Sequence, residues 1–192
     1  MKSGLKLHLG CGNKVLPEFL NYDANPVSAA VVPWEAGQPL LDPATRQPLP
    51  DDGAELVVAH HLIEHIPHDG PRETAWFAFW AECWRVLRVG GMLDVVTPHG
   101  DSIWAWSDPG HVRAIFPETF IFIRADAYIA ARNDPTNPMS PYEPRCNFAV
   151  NITLVPGPAQ RMDGKVDRIA NIHAQLTKLP LPPGYPREGR GG

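Results

Sequence analysis

The sequence predicts an α/β protein built on a mostly parallel β-sheet. Short aliphatic runs bounded by turn-forming residues are typical of buried parallel strands, and an amphipathic helical pattern separates the last two of them. A Gly-x-Gly turn follows the first run directly, as it does where many nucleotide-type cofactor sites begin. The predicted strands of the parallel part are residues 5–9, 29–32, 56–59 and 92–97.

The Gly-x-Gly turn is formed by Gly10, Cys11 and Gly12. Glycine has no Cβ, so Gly10 and Gly12 can adopt positive φ and let a ligand approach backbone N–H groups. The same pattern also occurs in ordinary tight turns, so it needs support from the rest of the chain.

A carboxylate, Asp23, ends the next apolar segment, residues 19–22. It could accept the hydrogens of both ribose hydroxyls of a nucleoside. Only about a dozen residues separate Gly10 from Asp23, against about 20 in a dinucleotide-binding unit, and Pro17 interrupts them. We therefore expect a shortened first crossover helix.

One long helix is predicted between the third and fourth of these strands, over residues 71–88. Pro71 suits its first turn, and Gly90 with Gly91 provides a stop signal. The tryptophans Trp76, Trp80 and Trp84 are expected to pack against the sheet rather than to bind a ligand. The apolar stripe recurs at steps of four, three and four and consists of Trp76, Trp80, Cys83 and Leu87.

The second half of the chain predicts a helix over 117–132 and two strands over 147–155 and 169–179. Between them, prolines at every third residue exclude a regular helix and suggest an extended lid. We expect a single domain over residues 1–180 and a flexible tail over 181–192. The spaced prolines are Pro135, Pro138, Pro141 and Pro144.

Composition limits the function classes. With 192 residues and 44% hydrophobic content, the chain can fill one core. It has no apolar run near the roughly 20 residues that span a bilayer and no secretory h-region, so a cytoplasmic protein without a membrane partner is expected. A net charge of −4 makes nucleic acid an unlikely partner. The oligomeric state cannot be predicted, since an exposed sheet edge can pair or be covered.

The three cysteines are widely spaced and form no Cys-x-x-Cys pair, which argues against a disulfide framework or a thiolate zinc site. Histidines are more crowded, with four between His60 and His68. The segment His61-x-x-Glu64-His65 matches the His-x-x-Glu-His pattern of inverted zinc peptidases. That pattern requires a continuous helix, whereas a strand is predicted to run straight into His60, so no metal is expected.

Ordered segments of the chain resemble the small class I S-adenosylmethionine-dependent methyltransferases, of the methyltransferase type 11-like subgroup. The resemblance spans about residues 5–120 and weakens after that. The matching segments are Leu-His-Leu-Gly-Cys-Gly-Asn-Lys at 7–14, Asn-Tyr-Asp at 21–23, the strand and loop at 50–65, the helix and glycine turn at 82–93, Asp-Pro-Gly-His at 108–111 and Phe-Pro-Glu-Thr-Phe at 116–120.

This resemblance implies a Rossmann-like three-layer αβα sandwich. Its seven-stranded sheet is mostly parallel, with an antiparallel edge hairpin and a shortened first helix. The implied cofactor is S-adenosyl-L-methionine, bound by the backbone of the glycine turn and by Asp23. Glu35 lies where the family has an acidic residue that can meet the adenine amino group, but an insertion makes Asp42 a competing candidate. His60 and His61 would line the cofactor edge, with Glu64 and His65 starting the helix beneath.

A general base, if methyl transfer needs one beyond positioning, should be a histidine or carboxylate at the carboxyl ends of the strands. His111 is the first candidate, because its near-neutral reference pKa suits proton removal and Asp108 could orient it. His65 is the second candidate and His99 the third.

The leading functional hypothesis is a methyltransferase acting on a small-molecule or sugar-type acceptor. The alternative is a non-catalytic, cofactor-binding or regulatory module of the same fold, and a zinc metallohydrolase using the His61-x-x-Glu64-His65 motif is a distant third. Specificity should lie in residues 98–116 and 133–146. The aromatic and apolar side chains that could line an acceptor pocket are Trp104, Trp106, Phe116, Met139 and Tyr142.

Overall fold

The fold is organised around one seven-stranded sheet in the order β3-β2-β1-β4-β5-β7-β6. The computed structural model describes residues 4–70, 73–132, 134, 136, 139, 142, 144–157 and 169–186. The strands are β1 Leu5–Leu9, β2 Leu20–Asp23, β3 Val31–Pro33, β4 Ala54–His60, β5 Leu87–Pro98, β6 Phe148–Val155 and β7 Asn171–Lys178. The α-helices are α1 Thr74–Val86, α2 Trp104–Ser107 and α3 Ala125–Arg132, and 3₁₀ turns span Ile63–His65 and Pro117–Ile123.

The sheet has the predicted mixed character. Strands β3, β2, β1, β4 and β5 are mutually parallel, whereas β7 pairs antiparallel with both β5 and β6. The mostly parallel sheet with an antiparallel edge hairpin is therefore confirmed. The central strands β1, β4 and β5 are rich in aliphatic residues because the centre of the sheet is buried, as is usual in α/β folds.

The face of the sheet that carries α1 is mainly apolar. Leu9, Val57, Leu93 and Ile172 are fully buried on it, and they belong to the same core as Trp80 of α1. Alternation along β7 places buried residues on this face, all apolar except Lys178, and partly exposed polar residues on the other. The main core therefore lies between one side of the sheet and α1.

The opposite face carries polar side chains, including His8, Asn21, Asp94 and His173. The crossovers that would supply helices to this face, residues 10–19 and 24–30, contain no helix. The predicted first helix is thus shortened to a turn, because about ten residues interrupted by Pro17 cannot make both the helix and its two connections. In these two described crossovers, loops stand where the predicted sandwich would have helices.

Helix α1 begins and ends inside its predicted range. Its first turn is capped by Asp69, whose Oδ2 accepts the Ala75 N–H at 2.7 Å. The predicted role of Pro71 lies outside the described residues. The helix ends at Val86 rather than at residue 88, and the chain passes at once into β5, where Gly90 takes φ 78° in an irregular stretch.

The predicted packing of the α1 tryptophans is confirmed. Trp76 and Trp80 are buried, and their rings make an edge contact at 5.3 Å between centroids. Trp84 is partly buried, and its Nε1 donates to the Leu179 carbonyl at 2.9 Å. Their apolar area therefore contributes to stability, and Trp76 also lines a cavity at the surface.

The single helix predicted over 117–132 is wrong. Arg124 is extended, with φ −118° and ψ 103°, and divides the segment into the 3₁₀ turn Pro117–Ile123 and α3. The break occurs because Arg124 forms a β-bridge with Asn147, so tertiary pairing overrides helix propensity there.

The end of the described chain is packed against α3. Tyr185 is 5% exposed and contacts a small cluster containing Ala125 and Tyr128, so a flexible tail remains a proposal only for residues 187–192, which lie outside the described part. Most of the predicted proline-rich lid also lies outside it. Within the described ranges, no helix has the length and hydropathy needed to cross a membrane.

Candidate functional site

The candidate site lies where the carboxyl ends of β1, β2 and β4 meet. These strands are adjacent and parallel, so the loops that leave them share one edge of the sheet. Ligands of open α/β sheets bind outside such carboxyl ends. The sheet topology therefore brings the glycine turn, Asp23 and the histidines after β4 to one edge.

The two glycines of the turn have different roles. Both take positive φ, 64° at Gly10 and 52° at Gly12. A Cβ on Gly10 would lie 2.9 Å from Leu62 Cδ1, so Gly10 is needed for packing against the loop after β4. A Cβ on Gly12 would meet nothing within 4 Å, which leaves its backbone open to a ligand.

Asp23 organises the turn. Its Oδ2 accepts the Gly12 N–H at 2.7 Å, and its Oδ1 accepts the Asn25 N–H at 2.8 Å. Each carboxylate oxygen has a second lone pair, so both can still accept from hydroxyl groups. The side chain is partly exposed, and the arrangement can therefore bind a diol while it holds Gly12 in place.

Cys11 contributes backbone rather than side chain. It is 4% exposed, its N–H donates to the Tyr22 carbonyl at 3.1 Å, and burial raises the pKa of its thiol. The thiol thus stays protonated in the core, and the backbone of residue 11 fixes the turn against β2.

The two candidates for an adenine contact differ in whether their carboxylates already accept hydrogen bonds. Asp42 Oδ1 accepts the Ala44 and Thr45 N–H groups at 2.9 and 2.8 Å, and these bonds lower the pKa of Asp42. Its carboxylate is used as the cap of its own turn. Glu35 is exposed beyond β3, and only its backbone oxygen makes a bond within the described chain, to the Gln38 N–H. The geometry favours Glu35.

His60 belongs to the polar face of the sheet. Its Nε2 lies 2.7 Å from Asp94 Oδ2, and His173 binds the other oxygen of Asp94 at the same distance. Burial opposes ionisation of Asp94, but the two imidazole hydrogen bonds outweigh it and hold its pKa below the usual range. The His60 ring is therefore committed to this carboxylate, and its expected place on the cofactor edge stays a prediction.

His61 lies at the start of the loop after β4. It takes φ 53°, a strained value for a residue with a Cβ, while its N–H donates to the Val96 carbonyl at 2.7 Å. Only the 3₁₀ turn Ile63–His65 follows it, so residues 61–65 do not form the continuous helix that an inverted zinc peptidase needs. The metallohydrolase arrangement is absent from this segment.

Glu64 is the most deeply buried carboxylate of the site, at 2% exposure. Its Oε2 accepts from the Thr97 hydroxyl at 2.9 Å. Its Oε1 has no hydrogen-bond partner within the described residues, and His61 Nδ1 lies 3.4 Å from it. A buried unpaired oxygen is costly, so this atom needs a functional explanation.

The two predicted bases lie together beside Glu64. The rings of His65 and His111 make an edge contact with centroids 4.6 Å apart. His65 Nδ1 lies 3.0 Å from the Gly110 carbonyl, and His111 Nε2 lies 4.0 Å from Glu64 Oε1 and 3.9 Å from Asp108 Oδ2. The turn at 108–110 brings these groups together from two distant parts of the sequence.

His99, the third predicted base, is separate from this cluster. Its Nδ1 accepts the Asp101 N–H at 3.1 Å, and its ring packs against Phe116 at 5.4 Å. It is 6% exposed. These contacts give His99 a structural role in the loop after β5.

A cavity of about 490 Å³ lies beside the cluster, between the loop after β4 and the segment after β5. Of the predicted pocket residues it contains Trp106 and Tyr142, whereas Trp104, Phe116 and Met139 do not line it. Val112, which follows His111, connects the cavity to the cluster. The aromatic part of the lining consists of Trp76, Phe77, Trp106, Phe122 and Tyr142.

The charged residues that line this cavity were not predicted from the sequence. Arg113 lies 4.5 Å above the Trp76 ring and donates to Glu73 at 3.0 Å. Burial would raise the pKa of Glu73, but hydrogen bonds from His68 and Arg113 prevail and keep it low. The charge pair could not be read from spacing, because its members lie 40 residues apart.

No protein-family model and no curated protein matches the sequence. The structure is similar to a SAM-dependent methyltransferase from Archaeoglobus fulgidus at 16% identity and a TM-score of 0.58, covering 92% of this chain and 87% of that chain. It is also similar to an S-adenosylmethionine-dependent methyltransferase from Mesorhizobium loti, at 13% identity, 92% and 91% coverage and a TM-score of 0.54. A SAM-dependent methyltransferase from Methanosarcina mazei follows at 14% identity, 93% and 94% coverage and a TM-score of 0.53. The chain therefore has the fold of class I SAM-dependent methyltransferases, as the sequence resemblance implied.

Proposed function

We propose that this protein is an S-adenosylmethionine-dependent methyltransferase acting on a small molecule. The observation that carries the proposal is the pairing of an open glycine with a carboxylate at the ends of adjacent strands, Gly12 N–H to Asp23 Oδ2 at 2.7 Å. In a sheet of this order, that pair lies where ligands of open α/β folds bind.

The described residues fit the cofactor. The space at Gly12 admits an amino acid portion close to the backbone, and Asp23 keeps lone pairs for two ribose hydroxyls. Glu35 has a free carboxylate for an adenine amino group. S-Adenosylmethionine supplies an electrophilic methyl carbon on a sulfonium.

The chain's own contribution to chemistry is positioning and proton removal. A nucleophile held in line with the methyl carbon gains much of the rate from orientation alone. For a hydroxyl or amine acceptor, His111 with His65 can take the departing proton, and the buried charge of Glu64 stabilises the imidazolium that forms.

The cavity beside Val112 has a size and lining that fit a small, flat acceptor molecule. About 490 Å³ suits a molecule with one or two rings, and the aromatic walls favour an aromatic ring or the apolar face of a sugar. The net charge of −4 does not favour a polyanionic nucleic acid. We therefore propose an aromatic or sugar-type acceptor with a hydroxyl or amine.

The test is transfer of a radiolabelled methyl group from S-adenosylmethionine to a panel of phenols, aromatic amines and sugars. The wild-type chain should label at least one acceptor, and His111→Asn should reduce kcat at least tenfold while the affinity for cofactor is unchanged. The control variant is Glu118→Gln, which replaces an exposed carboxylate in the 3₁₀ turn Pro117–Ile123 with an amide and should leave kcat unchanged. Cofactor binding without transfer to any acceptor would favour the non-catalytic module instead.

A further inference from the structure

We propose that Glu64, His65 and His111 bind a divalent transition-metal ion of the zinc type. One ligand atom from each side chain can be chosen so that all three lie within 4.8 Å of one another. Glu64 and His65 belong to the 3₁₀ turn after β4 and His111 to a segment after β5, so the fold brings together residues that are distant in sequence.

The distances fit a metal better than they fit hydrogen bonds. Glu64 Oε1 and His111 Nε2 are 4.0 Å apart, which exceeds hydrogen-bonding range. Tetrahedral zinc with bonds of roughly 2.0–2.2 Å holds two ligand atoms about 3.3–3.6 Å apart, so these two atoms need to approach by only about 0.5 Å. A cation between the two atoms would thus contact both after a small side-chain adjustment.

The burial of Glu64 is the independent argument. The residue is 2% exposed, and within the described residues its Oε1 makes no hydrogen bond. An ionised oxygen in that position loses its hydration without gaining a donor, and an ion of opposite charge restores the lost interaction. This oxygen lies 3.4 Å from His61 Nδ1 and 4.0 Å from His111 Nε2, so its unused coordination position lies among imidazole nitrogens.

The second ligand is already oriented for binding. The Gly110 carbonyl at 3.0 Å can only accept, so in the neutral ring the proton is on His65 Nδ1 and the lone pair on Nε2. A carbonyl that fixes the tautomer in this way is the usual support of a metal-ligating histidine. His65 is exposed, so a small shift of its side chain can close the remaining gap while the bond to Gly110 is kept.

Two imidazoles and one carboxylate form a donor set that suits Zn²⁺, Fe²⁺ or Co²⁺, whereas Mg²⁺ prefers oxygen ligands and several waters. Three protein ligands leave a position open for a further group. If the proposed function is correct, an acceptor hydroxyl placed there would become more acidic and so a better nucleophile, and His65 and His111 would then act as metal ligands in place of the proton-accepting role they have without the ion. This last step alone rests on the methyltransferase assignment.

Metal binding can be tested without any cofactor or acceptor. The full chain is stripped with a chelator and titrated calorimetrically with Zn²⁺, and in parallel with Co²⁺ while visible absorption is recorded. We expect one equivalent per chain, with Co²⁺ bands typical of mixed nitrogen and oxygen ligands and no competition from a large excess of Mg²⁺.

Three variants assign the site. His65→Asn and His111→Asn should each weaken Zn²⁺ binding at least tenfold, and Glu64→Gln should do the same while it keeps the bond to Thr97. His173→Gln, which removes a histidine bound to Asp94 on the sheet face, should bind Zn²⁺ like wild type. No stoichiometric binding, or equal affinity in the cluster variants and wild type, would overturn the proposal. Binding of Zn²⁺ without binding of S-adenosylmethionine would instead reject the proposed function and leave the metal site standing.

Discussion

Glu64 Oε1 and His111 Nε2 face each other at 4.0 Å, too far for a hydrogen bond, and the carboxylate is 2% exposed. The Thr97 hydroxyl satisfies only the other oxygen. A carboxylate buried in this way destabilises the fold. Locally unfavourable groups of this kind are commonly retained at functional sites.

This arrangement predicts that Glu64→Gln stabilises the metal-free protein. The amide keeps the size of the side chain and can still accept from Thr97, while the cost of burying a charge is removed. We expect the free energy of unfolding to rise by about 1 kcal/mol while methyl transfer is lost. Urea denaturation of the chelator-treated protein measures the first effect. A loss of stability of similar size would show that the carboxylate is structural.

The two glycines of the turn should respond differently to alanine. At both positions positive φ costs about 1–2 kcal/mol for a residue with a Cβ. Gly10→Ala should cost more, because its Cβ meets Leu62 at 2.9 Å, and adding Leu62→Ala should recover part of the loss. Gly12→Ala meets no protein atom within 4 Å and should chiefly weaken cofactor binding.

Denaturation and calorimetry on both glycine variants separate these effects. Gly12→Ala protein that binds S-adenosylhomocysteine as tightly as wild type would show that the open space at Gly12 is not where the ligand approaches. The double variant controls for strain, since it removes the clash and leaves the φ value of residue 10 unchanged.

The Asp94 carboxylate should make stability depend on acid pH. Hydrogen bonds from His60 and His173 overcome the effect of burial and lower the pKa of Asp94 in the folded state. Its stabilisation is therefore complete above the ordinary aspartate pKa of about 3.9 and is lost as the pH falls through the lower folded value. Asp94→Asn should cost about 1 kcal/mol at pH 7, since both imidazoles are partly exposed.

The difference between wild type and Asp94→Asn should shrink as the pH falls below about 4, because protonation removes the same charge from wild type. Denaturant titrations at several pH values measure this. A difference that is constant down to pH 2 would mean that the carboxylate charge contributes nothing.

A buried lysine, Lys178, ends β7 and binds residues outside that strand. Lys178 is 3% exposed, donates at 2.7 Å to both Asp52 and the Leu87 carbonyl, and lies 4.2 Å above the Trp84 ring. Lys178→Ala should cost about 2–4 kcal/mol, because it leaves a cavity and an unpaired carbonyl. Lys178→Met refills the cavity and should cost about 1 kcal/mol. Equal losses in urea denaturation would contradict a packing role for the lysine stem.

Most of the sheet was predictable from the sequence because most strands contain an aliphatic or alternating run between turn formers, whereas β2, Leu20–Asp23, has no such pattern. Residues 92–97 are mainly aliphatic, and residues 169–179 alternate between apolar and polar side chains. Each of these local patterns indicates a strand by itself. The failures occurred where distant pairing decides the backbone. Arg124 leaves the predicted helix because Asn147, far along the chain, pairs with it.

The site was predictable in its backbone part and less so in its side chains. Gly12 and Asp23 could be found because a turn and a strand end lie close in sequence. The contact of His111 with Glu64 depends on how the loops after β4 and β5 meet, which no local pattern encodes. The bond of His60 to Asp94 depends on strand register and so could not be found locally, while its place on the cofactor edge stays a prediction.

The most direct test of the account is calorimetric titration with S-adenosylmethionine and S-adenosylhomocysteine, on wild type and on Asp23→Asn. The amide can still hold the Gly12 N–H but has one fewer acceptor for a diol. We predict that wild type binds both ligands and that the variant binds them at least tenfold more weakly, a change of about 1.4 kcal/mol. Well-folded wild-type protein that binds neither ligand would contradict the central claim.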